Sequence, residues 1–220
     1  MKIKPQELEN AGYKLRETLA HDALIPFIQE SMRLKNLFSI GFSVINLLLL
    51  GFTVAFFVLH VLRGDLSVGL GLGHLFMGVG FAFLLVPIHE LIHGLAYKLV
   101  GAEHTSYDAH WRKFYFLAVA DQFVINKREL QIVALAPFLV ITCVGLLSMI
   151  WLGLPWQVTM TGMILTHTTF CGGDFGLLSY MAHHKALQLV TYDDKELKIS
   201  YIYEKEIQSS ALPTAQRASV

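Results

Sequence analysis

The sequence predicts a mostly helical, polytopic membrane protein with about four transmembrane helices and a small cytoplasmic-side β segment between spans two and three. Three observations carry this reading. The 220 residues are 54% hydrophobic and only 15% charged, with a mean hydropathy of +0.51; a soluble domain usually carries about 25% charged residues. The charges are segregated into the first 38 residues, the stretch 101–130 and the tail after 182, as a bilayer demands, because an unpaired charge in hydrocarbon is costly. The basic residues between the apolar runs also fall on one side.

Residues 1–38 begin MKIKPQELEN and stay polar, so they read as a cytoplasmic segment of one or two short helices without a cleavable signal peptide. The first apolar run then acts as an internal anchor. Crossing the hydrocarbon takes about 20 apolar residues. Four segments qualify within a membrane domain of 39–182: Ser39–Leu62, about His74–Val100, Gln131–Gly153 and Trp156–Ala182. The first and third hold no Asp, Glu, Lys or Arg, and the fourth holds only Asp174. VGLGLG at Val68–Gly73 reads as a loop, since glycine weakens helices. In the insertion 101–130, Thr105–Trp111 and Lys113–Ile125 are rich in aromatic and branched residues and read as strands, with a turn at Asn126-Lys127. The tail, 183–220, carries LQLVTY and KELKISYIY around Asp193-Asp194, a hairpin pattern.

Orientation follows from lysine and arginine counts. Lys2, Lys4, Lys14, Arg16, Arg33 and Lys35 precede span one, Arg112, Lys113, Lys127 and Arg128 lie between spans two and three, and five more follow span four. The other side has Arg63 alone. Both termini are therefore expected in the cytoplasm, with the spans in the plasma membrane. A net charge of zero and the absence of a basic patch argue against a nucleic-acid partner. Cys143 and Cys171 lie inside apolar runs and give no disulfide framework.

The chemistry concentrates in span two, PIHELIHGLAYKLVG. His89 and His93 are four residues apart, so on a helix both imidazoles face one side and can bind one metal ion. Glu90 follows the first histidine, where it can take a proton from a water polarised by that metal. Pro87 can kink the helix and open the site. Intramembrane ionisable side chains default to a functional role, the bland alternative being a polar cluster that glues spans together.

A catalytic zinc takes three protein ligands and keeps one position open. Ala96 and Leu99 stand where a Gly-x-x-His extension would place its glycine and histidine, and Glu103 follows too closely behind a Gly-Ala turn. Asp174, in THTTFCGGDFG, is the better third ligand. His93 lies about 10 Å before the inner end of span two and Asp174 about 12 Å before that of span four, so their depths match. Gly172, Gly173 and Gly176 leave room for span two to approach or for the helix to loosen. His167, seven residues before Asp174, is an alternative ligand, an outer-sphere donor or a plain interhelical hydrogen bond. Cys171 offers a thiolate or simply small packing. His60 and His74 read as interfacial, His183 and His184 as cytoplasmic surface, and Asp108 and Asp121 as turn or surface residues.

HELIHGLAYKLVGAE, the strand-rich stretch, ALAPF at Ala134–Phe138 and CGGDFG together resemble the putative zincin peptidase family of bacterial membrane proteins. That family is similar in plan to the site-2 intramembrane zinc metalloproteases. The resemblance implies His89, His93 and Asp174 as ligands of one Zn2+ per chain and Glu90 as general base. It implies a hydrolase acting on a membrane protein or peptide substrate within the lipid bilayer. The rival expectations are a membrane scaffold or regulator with a structural zinc, and a metal transporter, which would need a string of polar sites across the spans.

Overall fold

A computed structural model describes residues 3–110 and 115–207. Among the sequence expectations, Lys2, Trp111, Arg112, Lys113 and Arg217 lie outside the described residues. The described chain is mostly helical: α1 (Leu24–Arg33), α2 (Leu37–Leu62), α3 (Val68–Leu84), α4 (Val86–Leu99), α5 (Lys127–Ser148), α6 (Leu154–Phe170) and α7 (Gly172–His183). The strands are β1 (Lys14–Ala20), β2 (Ser106–His110), β3 (Tyr115–Val119), β4 (Ile125–Asn126), β5 (Leu187–Asp194) and β6 (Ile199–Glu206).

Among the described residues two helices, α2 and α5, are long and apolar enough to cross a membrane, and the pair α3–α4, bent by 43° at its break, makes a third if it is one span. Each of the long helices starts at an asparagine whose side chain accepts from backbone amides of the first turn, Asn36 for α2 and Asn126 for α5, which satisfies donors that a helix start leaves open. Only 6% of the apolar window of α2 is buried within the chain, and Leu47, Leu48 and Leu62 are exposed. Such a surface is untenable in water and ordinary in lipid. The stretch expected as span four is divided into α6 and α7 at Cys171.

The glycine run at Val68–Gly73 is helix, not loop. Ser67 caps it, and its neighbours decide the matter. A Cβ at Gly71 would lie 2.5 Å from the Phe57 ring, one at Gly78 2.3 Å from the Thr159 carbonyl oxygen, and one at Gly162 2.8 Å from that of Leu75. Gly78 and Gly162 bring α3 and α6 together at backbone distance, Gly71 makes room for the Phe57 side chain of α2, and this packing outweighs the poor helix propensity of glycine.

Residues 1–38 also depart from expectation, because they include a strand. β1 pairs antiparallel with β6 (Lys14↔Glu204 to Ala20↔Ile199), and the sheet runs β1-β6-β5-β4. The tail hairpin is present, but Asp193 and Asp194 end β5 and the turn falls on the next four residues, where Lys198 adopts φ 55°. β2 and β3 form a separate hairpin (Ser106↔Val119 to His110↔Tyr115). Asn126, expected in a turn, ends β4 and caps α5. The four-stranded sheet closes over the ends of α4, α5 and α7 through a core that includes Tyr97, Ile125, Leu130, Leu178, Leu189 and Ile202.

Candidate metal centre

Both interrupted helix pairs break beside the same place. Pro87 stands in the first turn of α4, where its missing N–H costs nothing because first-turn amides have no intrahelical partner. The chain therefore bends just before His89, Glu90 and His93. On the other side, Asp174 occupies the first turn of α7, immediately after the break at Cys171, and His167 the last turn of α6.

The structure brings His89, His93 and Asp174 together. The Nε2 atoms of the histidines are 3.0 Å apart, and they lie 3.5 Å (His89) and 3.2 Å (His93) from the two carboxylate oxygens of Asp174. Zinc binds histidine nitrogen and carboxylate oxygen at about 2.0–2.2 Å, so tetrahedral donors stand about 3.3–3.5 Å apart. The triangle fits such an ion with little adjustment. A second trio, His89, His167 and Cys171, shares one histidine with it. Its fit is poorer: Cys171 Sγ is 4.0 Å from His167 Nε2 and donates to the backbone carbonyl of His167.

Both ligand-type histidines are held from behind. His93 Nδ1 lies 2.9 Å from the carbonyl oxygen of Val133, and His89 Nδ1 lies 3.1 Å from His167 Nε2. With the protons on Nδ1, each ring offers the lone pair of Nε2 to the centre, the arrangement that outer partners impose at metal sites. His167 thus stands behind His89, and the helix break separates it from the turn that carries Asp174.

The Val133 carbonyl is available because of Pro137, which lies inside α5 and is buried. In a regular helix the oxygen of residue 133 would accept the amide proton of residue 137, and proline has none. His93 takes the vacated acceptor. Replacing Pro137 by Ala is expected to return that oxygen to the helix, leaving the fold at least as stable while weakening zinc binding by about 10–100-fold. Zinc titration beside a thermal melt checks this, since a purely structural proline predicts no change in affinity.

Glu90 is outside the converging donors. Its carboxylate accepts the backbone amide of Ala118 on β3 at 2.7 Å. Ala118 stands opposite Tyr107 on β2, and its N–H points away from that partner, so the edge of β3 away from β2 faces the centre. Sequence reading missed both Ala118 and Val133, because each contributes backbone only. Of the two roles expected of these glycines, the helix does loosen locally, breaking just before Gly172, while the neighbours they admit are α1 and α2 and not span two. A Cβ at Gly176 would lie 2.7 Å from Ile28, and one at Gly172 would lie 3.5 Å from Phe42.

The centre opens into a cavity of about 510 Å³ whose wall is mainly apolar side chains, among them Phe27, Ile28, Phe83, Phe116, Val133 and Phe170. The remaining singled-out residues lie elsewhere. His74 meets Thr159 at 2.8 Å, His60 meets Asp65 at 3.2 Å, His184 meets the carbonyl of Tyr180 at 3.0 Å, and Asp108 pairs with Lys198 at 3.3 Å. Asp121 bonds the amide of Lys195. Cys143 and Cys171 are free thiols.

The model of a family described as "Putative zincin peptidase" matches residues 82–189, the stretch that carries His89, Glu90, His93, His167 and Asp174. No curated protein and no solved structure matches the chain.

Proposed function

We propose that this chain, matched by a zincin peptidase family over residues 82–189, is a membrane-embedded zinc metallopeptidase that cleaves membrane proteins or membrane-proximal peptides. The observation that carries the reading is the triangle of His89 Nε2, His93 Nε2 and Asp174 carboxylate oxygens, with Glu90 beside it and uninvolved in it. A zinc ion held there would supply Lewis acidity to a water and to the scissile carbonyl. Glu90 takes a proton from that water as its oxygen bonds to the carbonyl carbon, and delivers it to the amine as the C–N bond breaks. His167 and the Val133 carbonyl keep the two imidazoles in the tautomer that leaves Nε2 free.

A helical peptide bond is shielded from attack, so the substrate must be extended at the site. The edge of β3 away from β2, where the Ala118 amide meets Glu90, offers an extended segment a strand to lie against. A structural zinc would be closed by a fourth protein ligand. Three convergent donors against a 510 Å³ cavity favour a catalytic role instead.

The reading places four spans in the plasma membrane: α2, the bent pair α3–α4, α5, and α6 with α7. Both termini and the two sheets lie on the cytoplasmic side. Single cysteines at Asp65 and Arg128, in a background without Cys143 and Cys171, are expected to label from opposite sides of the membrane. Labelling from the same side excludes this topology. For activity, the protein reconstituted in vesicles is expected to cut a membrane-anchored reporter, to stop on chelation and to resume when zinc is restored. Cleavage that persists through chelation rejects the metallopeptidase reading.

A further inference from the structure

The cavity has a second polar end, built from parts of the chain that lie outside the matched family segment or at its margin. His21, between β1 and α1, and Asp193 and Ser200, paired across β5 and β6, line the same cavity as the metal centre. His21 is 3% exposed and neither of its ring nitrogens has a hydrogen-bond partner. Buried polar atoms are normally satisfied, so an orphaned imidazole in a cavity wall points to something the cavity takes in. Asp193 Oδ1 accepts the Ser200 hydroxyl at 2.5 Å, and His21 stands within electrostatic reach of this carboxyl. Burial pushes the Asp193 carboxyl above its ordinary value. Among the described residues that line the cavity there is no lysine or arginine, so this carboxylate has no permanent counter-ion.

We propose that His21, Asp193 and Ser200 form a subsite for a lysine or arginine side chain of the substrate. The subsite offers mainly acceptors: a carboxylate, a hydroxyl oxygen and an imidazole nitrogen. An ammonium brings three donors and a guanidinium five, with a positive charge, which satisfies all of them and supplies the missing counter-ion. An acidic side chain would meet Asp193 as a like charge, and an apolar one would leave the carboxylate without a counter-ion and the imidazole unpaired. The location also suits the ligand. The subsite belongs to the sheet that the reading above places at the cytoplasmic surface, where membrane proteins concentrate lysine and arginine. A basic residue anchored there would set which peptide bond of the flanking apolar segment reaches the metal centre. The inference rests on the peptidase reading for its biological meaning, but binding tests it without any cleavage.

The probe is a set of fluorescent peptides, identical except that one position carries Lys, Arg, norleucine, Gln or Glu, scanned through several positions. Binding is measured by anisotropy on the full-length, zinc-loaded Glu90→Gln protein, and cleavage on the wild-type chain. At one position Lys and Arg are expected to bind about ten-fold or more tighter than norleucine, with Glu weakest. Asp193→Asn removes the charge at constant shape and is expected to erase the preference, bringing the Lys, Arg and norleucine peptides to similar affinity. His21→Gln, which retains an acceptor, is expected to keep most of it, and His21→Leu to weaken it. Equal binding of Lys and norleucine at every position, a preference for Glu, or a basic preference that survives Asp193→Asn each overturns the subsite. If wild type cuts none of the peptides and the Asp193-dependent preference remains, the subsite stands and the peptidase reading fails.

Discussion

Zinc content is expected to fall from about one ion per chain to near zero when His89, His93 or Asp174 is replaced by Ala, and to fall only partly when His167 is replaced. The three residues contribute the converging atoms, 3.0–3.5 Å apart, so each removal leaves two donors for an ion that takes three protein ligands at a catalytic site. His167 stands one hydrogen bond behind His89. Loss of such an outer partner typically costs about 10–100-fold in metal affinity, which leaves the site occupied at saturating zinc. Elemental analysis of detergent-purified protein gives the stoichiometry, and competition with a chromogenic chelator gives the affinity. Metal bound only to the folded chain stabilises it by about 2.7 kcal/mol at a concentration 100 times its Kd. Chelation is therefore expected to lower the melting temperature of wild type and to leave that of the ligand variants unmoved. Full zinc retention in Asp174→Ala would relocate the third ligand, with His167 next in position.

The parts of this site that were legible in the sequence are those governed by local periodicity. Spacing puts His89 and His93 on one face of a helix, and a single acid in an otherwise uncharged run draws attention to Asp174. Matching depths along two spans that run the same way, outward to inward, pair them, and the structure brings their side chains within 3.2 Å. What stayed hidden depends on partners distant in sequence. β1 reads as a polar N-terminal stretch because the strand that completes it, β6, lies about 190 residues away in register, Lys14 opposite Glu204. That pairing places His21, the residue after β1, beside Lys198, and α1 reaches the cavity by packing on α7 at Gly176. The Ala118 amide and the Val133 carbonyl carry no residue-type signal at all. Pro137 did carry one: a proline inside an apolar helix always frees the carbonyl four residues back, and the question of what accepts from that position was open to the sequence. The glycine run at Val68–Gly73 points the other way, since propensity is a weak prior for a helix packed further along as closely as α3 is on α6 at Gly78 and Gly162.

Glu90→Gln is expected to abolish peptide cleavage while leaving zinc bound and the fold intact. The carboxylate is not one of the donors that converge on the centre, and its one described hydrogen bond is accepted from the Ala118 amide at 2.7 Å. A glutamine carbonyl oxygen can accept that same bond, so the side chain keeps its place, its size and its packing. Proton abstraction is what it loses, because an amide does not take up a proton from water near neutral pH. A positioned acid–base group typically contributes about 10²–10⁴-fold to a rate, and this one serves both halves of the reaction, first receiving the proton and then giving it to the leaving amine. The drop should appear in kcat, with substrate affinity little changed, since Glu90 acts on the water and not on the peptide. A structural-zinc scaffold makes the reverse pattern: function survives Glu90→Gln and fails when a ligand is lost. Membrane-protein fragments and phenotype are therefore compared in cells carrying wild type, Glu90→Gln and His93→Ala. Fragments lost in both variants support the enzyme; fragments and phenotype identical between wild type and Glu90→Gln, yet altered in His93→Ala, exclude Glu90 as the base and with it the peptidase.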